Sequence, residues 1–181
     1  MPRLFVALRP PAAIRDQLID TMAGIDGARW QDEEQLHLTL RFVGDIDARA
    51  ADDLAAALGQ VHAPMPAVRL AGTGRFDRRG RTNALWTGVQ PHDALAALHR
   101  KVDAACVRAG LPPEGRAYLP HITVARAGGG IDEGAVARWL GDTAGLASEP
   151  FACPHLVLYE SHLGHGGASY EPVLRWPLDP V

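Results

Sequence analysis

Two short segments carry residue types on which acid–base chemistry can run: His37-Leu38-Thr39-Leu40 and His121-Ile122-Thr123-Val124. In a strand side chains alternate, so His37 and Thr39 share one face while Leu38 and Leu40 share the other, and the second segment repeats this. The apolar face suits packing under helices; the polar face is free to line a groove. Two imidazoles facing each other suit phosphoryl transfer without a metal. A neutral histidine takes a proton from the nucleophile and a protonated one gives a proton to the leaving oxygen, and an unperturbed pKa of about 6.5 makes both forms available at neutral pH. The hydroxyls of Thr39 and Thr123 can donate to non-bridging phosphate oxygens, where charge has to be held through the transition state. A single His-x-Thr-x also describes a half-buried histidine beside a strand-favouring threonine. The second copy is what points to chemistry.

The elements around these segments recur in order. Leu4 to Leu8 is a continuous apolar run, read as a buried strand. Ile14, Leu18 and Met22 follow at helical spacing behind Pro11, closed by Gly24. Leu36 to Val43 reads as a strand, and Asp47 caps a helix with Leu54, Leu58 and Val61 on one face. Ala67 to Arg75 is a third strand, with Gly72 and Gly74 marking irregularities. Then Ala84 to Val89 is apolar, Pro91 opens a helix with Leu95, Leu98, Val102 and Cys106 aligned, and His121 to Ala127 is strand-like. Asp132 caps a short helix to Leu140, Phe151 to Glu160 reads as a strand, and Tyr170 to Leu178 as its hairpin partner. Strand, helix, strand, helix, strand is thus written twice, as approximate repeats over 3–76 and 83–160 within one bilobal domain, 1–181. The expected fold is α+β: two pseudo-symmetric lobes, each an antiparallel sheet backed by helices, with the His-Thr pairs facing across a central cleft.

The 181-residue chain has a net charge of −3, so no global basic field advertises nucleic acid and any RNA contact has to be local. Only two cysteines, Cys106 and Cys153, are present and far apart, which suits free thiols in a reducing compartment. No stretch approaches the length of a membrane span, and Arg9-Pro10-Pro11 ends the opening apolar run. The expectation is a cytoplasmic monomer without a membrane partner.

The chain resembles the 2H phosphoesterases, and within them the bacterial and archaeal RNA 2′,3′-cyclic phosphodiesterases, also called 2′-5′ RNA ligases. The likeness runs through Arg3 to Leu8, His37-Leu38-Thr39-Leu40-Arg41-Phe42-Val43-Gly44, Ala84 to Val89, Tyr118-Leu119-Pro120-His121-Ile122-Thr123-Val124-Ala125-Arg126, Leu158 to Ser161 and Gly167 to Tyr170. Tyr118 stands where phenylalanine is common, and Asn83 where a basic or aliphatic residue often precedes the central strand. The resemblance implies water attack on a 2′,3′-cyclic phosphate at an RNA end, leaving a 2′-phosphate, with no cofactor. It implies His121 as proton acceptor and His37 as proton donor. A 5′-hydroxyl in place of water makes the reverse step a 2′,5′ ligation.

Other residues are weighed beside these. Arg126, five positions after His121, falls on the opposite face by strict alternation, so a phosphate or base contact there requires a bend. Tyr118 is a candidate floor for a base pocket or a plain core aromatic. Arg75-Phe76-Asp77-Arg78-Arg79-Gly80-Arg81 is the most basic segment, and Arg78 and Arg79 are candidates to grip phosphates upstream of the reacting end, or to keep a loop soluble. His162-x-x-His165 lies in a Gly-rich turn with no cysteine or paired carboxylate at ligand spacing, so no metal is expected. Trp30, Trp86, Trp139 and Trp176, one per element, read as core or rim aromatics. Two alternatives remain open from sequence: a non-catalytic RNA-end-binding module, and a 2H enzyme acting on a small cyclic nucleotide.

Overall fold

The computed structural model describes residues 1–180. Among these residues nine strands and four helices follow in the order β1 (Arg3–Leu8), α1 (Ala12–Ile19), β2 (Ala28–Trp30), β3 (Leu38–Asp45), α2 (Ala48–Leu58), β4 (Ala67–Arg78), β5 (Arg81–Gln90), α3 (His92–Arg108), β6 (His121–Ala127), α4 (Glu133–Thr143), β7 (Phe151–Ala152), β8 (His155–Gly164) and β9 (Gly167–Pro177). The strands form one sheet in the order β7-β4-β5-β6-β3-β1-β8-β9, with β2 also beside β6. The fold is α+β, and its two halves are fused into a continuous sheet. They join at β3 and β6 through a single residue pair, Leu38 with Ile122.

Outward from that seam the order is β3, β1, β8 on one side and β6, β5, β4 on the other. The third strand of each sequence repeat therefore lies in the opposite half of the sheet. The run from Phe151 to Glu160, read from sequence as one strand, breaks at Cys153-Pro154, where proline has no N–H for a ladder. Before the break β7 pairs with β4; after it β8 pairs with β1 at the other end of the sheet.

All four helices cover one sheet face. Ile14 and Leu18 of α1, Leu54 and Leu58 of α2, Leu95 and Val102 of α3 and Val136 and Trp139 of α4 share a core with Leu38, Leu40, Ile122 and Val124. Each fully buried leucine in it contributes about 1.5–3 kcal/mol. The caps read from sequence form: Asp47 accepts from the Ala50 N–H and Asp132 from the Ala135 N–H. β1 is apolar from Leu4 to Leu8 because that stretch is buried on both sides, with Leu4, Val6 and Leu8 under the helices and Phe5 and Ala7 packed with Val157 and Tyr159 on the open face. Trp30 and Trp139 pack in the helix-side layer, and no helix among the described residues is long and apolar enough to cross a membrane.

The segment Arg75–Arg81, a loop in the sequence reading, is a tight hairpin. β4 runs to Arg78, Arg79 and Gly80 form the turn, and Arg81 starts β5. Both turn residues have positive φ, 54° and 78°, as a two-residue turn of this hand requires.

Candidate active site

The seam brings the two motifs together. His37 immediately precedes β3, His121 is the first residue of β6, and their neighbours Leu38 and Ile122 are the pair that joins the halves. Each imidazole is held identically: His37 Nδ1 lies 2.7 Å from the Gln35 carbonyl and His121 Nδ1 lies 2.7 Å from the Leu119 carbonyl. A carbonyl only accepts, so each Nδ1 carries the hydrogen and donates it. In the neutral ring Nε2 is then the free basic atom.

Local structure fixes both carbonyls. Ahead of His37 a 3₁₀ turn over Glu33–Gln35 is closed by a capping box in which Asp32 accepts from the Gln35 N–H and the Gln35 side chain accepts from the Asp32 N–H. The Gln35 amide also donates to the Ala168 carbonyl of β9, so one glutamine ties the turn to the last hairpin. Ahead of His121 the irregular segment after α3 is clamped to β3. Arg41, buried, pairs with Asp103 of α3 and donates to the Pro112 carbonyl at 2.6 Å, while Asp103 also accepts from the Glu114 N–H. The Tyr118 hydroxyl donates to the Thr39 carbonyl at 3.1 Å, and its ring stacks on His99.

Aromatic walls enclose the two imidazoles. Phe5 lies 4.8 Å from His37 by ring centroid, and Tyr170 meets it edge-on at 5.1 Å. Phe76 meets His121 edge-on at 5.0 Å, with Trp86 at 6.0 Å. Burial is the main reason both pKa values fall: that of His37 is brought down to about 4, against the Gln35 contact and helped by the charges of Arg126, His121 and Arg9. His121 is lowered by burial and by Arg126, opposed by Leu119. These shifts favour the neutral ring at both positions. Trp86 keeps its place because Gly74 has no side chain; a Cβ there would lie 2.2 Å from the indole. Gly74→Ala is expected to lower stability by about 1–3 kcal/mol through overpacking and to reduce turnover by displacing the wall behind His121; thermal melting and activity of the variant check this.

Arg126 reaches the cleft through a bulge. In the β5–β6 ladder Trp86 pairs with Thr123 and Leu85 with Ala125, so Val124 is skipped. Val124 and Ala125 are both buried, and alternation resumes with Arg126 on the face of His121 and Thr123. This corrects the placement by strict alternation. β3 contains the same device: Ala7 pairs with Thr39 and Val6 with Arg41, skipping Leu40, and Phe42 emerges on the cleft side. Phe42 is thus the counterpart of Arg126, five residues after its own histidine. It is 43% exposed, with the Arg3 guanidinium 5.4 Å from its ring centre.

Two grooves meet at Thr39 and Phe42. One, of about 440 Å³, is lined by His37, Thr39, Phe42, Arg126, Ser161 and Tyr170 among others. The other, of about 510 Å³, is lined by Thr39, Phe42, Phe76, Tyr118 and His121 among others. Thr123 is half-buried opposite Trp86. Tyr118 borders the second groove, but its hydroxyl is engaged by Thr39. Arg78 and Arg79 are exposed at the tip of the β4–β5 hairpin and line neither groove. Sequence reading did not single out Phe5, Phe42, Phe76, Tyr170 or Gln35; the fivefold spacing from His37 to Phe42, matching His121 to Arg126, is the signal that would have found Phe42.

His162 lies outside the cleft. Its Nε2 is 3.2 Å from Glu171 and 3.9 Å from Glu160, a carboxylate pair that only cross-strand pairing brings together. These three are the one group among the described residues with metal-ligand spacing, and alternation along β8 puts them on the face opposite Tyr159 and Ser161.

Comparison with known proteins matches this arrangement. The 2′-5′ RNA ligase superfamily matches residues 10–165. An RNA 2′,3′-cyclic phosphodiesterase of Geobacillus stearothermophilus is 32% identical over 88% of this chain, which spans half of that relative's length. One from Escherichia coli K12 is 28% identical, with 97% of this chain and 96% of the relative covered. The crystal structure of E. coli LigT complexed with 3′-AMP has a TM-score of 0.75 at 27% identity, covering 98% of each chain. With paired histidine–threonine strands meeting at one seam and a family match over most of its length, the chain belongs to the 2′-5′ RNA ligase superfamily.

Proposed function

We propose that this protein opens 2′,3′-cyclic phosphate ends of RNA to 2′-phosphates by two-histidine acid–base catalysis. The observation that carries the reading is the pair of imidazoles at the seam, each with Nδ1 committed to a carbonyl and Nε2 left for chemistry. His121 takes the proton of water as its oxygen attacks phosphorus. The P–O3′ bond breaks, and His37 gives its Nε2 proton to the departing 3′ oxygen. Thr39 and Thr123 hydroxyls and the Arg126 guanidinium hold the non-bridging oxygens. Because His37 is neutral in the free protein, its proton is carried only once the anionic phosphate is seated: the bound negative charge opposes the burial and the Arg126 charge that drive the proton off. Attack by an RNA 5′-hydroxyl in place of water, with the same P–O3′ bond breaking and the same two proton transfers, is a 2′,5′ ligation with no nucleotide cofactor. The name shared by the Geobacillus and E. coli relatives supports the substrate class.

The β4–β5 hairpin belongs to the same reading. Arg78 shares the face of Phe76 two residues on, about 7 Å further along the strand, where it can meet phosphates leaving the His121 side.

The test is incubation with an oligonucleotide ending in 2′,3′-cyclic phosphate, resolving 2′- from 3′-phosphate products, with and without chelator. The expected result is a 2′-phosphate product at a rate the chelator leaves unchanged, since Arg126, the threonines and the histidines meet the phosphate charge. A tenfold loss restored by zinc or magnesium overturns metal independence. No turnover anywhere between pH 5 and 8 favours a binding module instead.

A further inference from the structure

A third groove, of about 360 Å³, continues from the His37 groove past Arg126; the two share Arg126, Leu163, Ala168 and Tyr170. Its floor is β2. Trp30 and Ala28 pack against the core, which turns Arg29 to the cleft side, and Arg29 is the direct cross-strand partner of Arg126. Like charges directly opposite on neighbouring strands are destabilising. Among the described residues neither arginine has an ion-pair partner.

Gln31 lines the same groove. It is 8% exposed, and its Oε1 is buried without a hydrogen-bond partner. A buried acceptor left without a hydrogen bond is destabilising. The far wall is the β8–β9 turn, where Gly164, Gly166 and Gly167 present no side chains to an approaching ligand. A ligand that sets an anion against the two guanidiniums and offers a donor to Gln31 relieves both defects. A ribose-phosphate segment has both, since the 2′-hydroxyl is donor as well as acceptor.

We infer that Arg29 and Arg126 form a subsite for the phosphodiester next to the reacting end, with Gln31 beside it for the adjoining ribose. This rests on the proposed RNA-end reading and adds that the protein recognises at least two nucleotides. Arg126 then stands between the reacting phosphate and the next one, and Arg29 serves the second alone. Guanidiniums suit such a position because they bind phosphate through two parallel N–H donors.

The test uses products, which do not turn over: a dinucleotide ending in a 2′-phosphate and the corresponding nucleoside 2′-phosphate, titrated calorimetrically at several salt concentrations. The wild type is expected to bind the dinucleotide more tightly. In Arg29→Ala that advantage is expected to fall about tenfold, one good phosphate contact's worth, and the slope of log affinity on log salt to flatten by about 0.7. An Arg78→Ala, Arg79→Ala double variant is the comparison. Equal affinity of the wild type for both probes overturns the inference, as does an advantage that survives in Arg29→Ala. Loss in the hairpin variant alone also overturns it, and moves the second phosphate to the other side of the cleft. Turnover of a cyclic dinucleotide end in the same preparations separates the two readings. An Arg29-dependent advantage without turnover leaves the subsite standing and removes the proposed reaction; turnover without the advantage does the reverse.

Discussion

Replacing either His37 or His121 with alanine is expected to lower turnover of a 2′,3′-cyclic phosphate end by about 10²- to 10⁴-fold, the range of a positioned general acid or base. In the proposed mechanism both act in the same step, one on the entering oxygen and one on the leaving oxygen, so the double variant should be little worse than either single one. The fold should survive both changes. His37 and His121 are half-buried at the cleft surface, and the helix-side core runs through Leu38, Leu40, Ile122 and Val124 instead. Near-wild-type melting temperatures with lost turnover would separate chemistry from stability. A single variant within threefold of wild type would remove the two-histidine mechanism. An asparagine at either position is the sharper version, because its side chain can still bond the Gln35 or Leu119 carbonyl yet cannot carry the proton.

What the sequence made legible follows from strict local periodicity. The His-x-Thr pairs are visible because alternation assigns their faces over only three residues, and because the same pattern recurs in the corresponding element of each repeat. The helices of the second repeat are legible for a similar reason: Leu95, Leu98, Val102 and Cys106 keep one spacing over α3, and all four are buried. Arg126 is different. The bulge at Val124–Ala125 consists of two consecutive buried residues, and in a sequence these are indistinguishable from an ordinary apolar stretch. Only the partner strand shows that one of them is skipped. Strand exchange is nonlocal in the same way, since nothing near Ala67 or His155 states which half of the sheet each strand joins. β2 is too short for any period to declare itself, so the apposition of Arg29 and Arg126 exists only in three dimensions. Gln35 is a case in between: Asp32 with Gln35 is a capping-box spacing, but its link to His37 runs through a main-chain carbonyl.

Arg126 carries the second large effect. In the proposed mechanism it supplies positive charge to the phosphate, and it lowers the pKa of both histidines, after burial has made the larger contribution. Arg126→Ala should therefore change two observables. At the optimum, turnover should fall by about 10²- to 10³-fold, the usual consequence of removing one preorganised donor from a developing oxyanion. The pH dependence should move as well. kcat/KM reports the free protein, and the proposed mechanism needs one histidine neutral and one protonated. The His37 pKa is about 4 and that of His121 lies below its ordinary value, so the wild-type bell should peak on the acid side of pH 6.5 and fall as pH rises above both groups. Removing a nearby cation makes protonation easier at each ring, so in Arg126→Ala both flanks should shift to higher pH. The bell for kcat should already lie higher than that for kcat/KM in the wild type, because the bound phosphate anion favours the charged imidazole. The shift in the variant should be partial, since burial of the rings is untouched. A profile that stays in place or moves to lower pH would mean that the guanidinium does not act on the histidines, whatever it does for the phosphate.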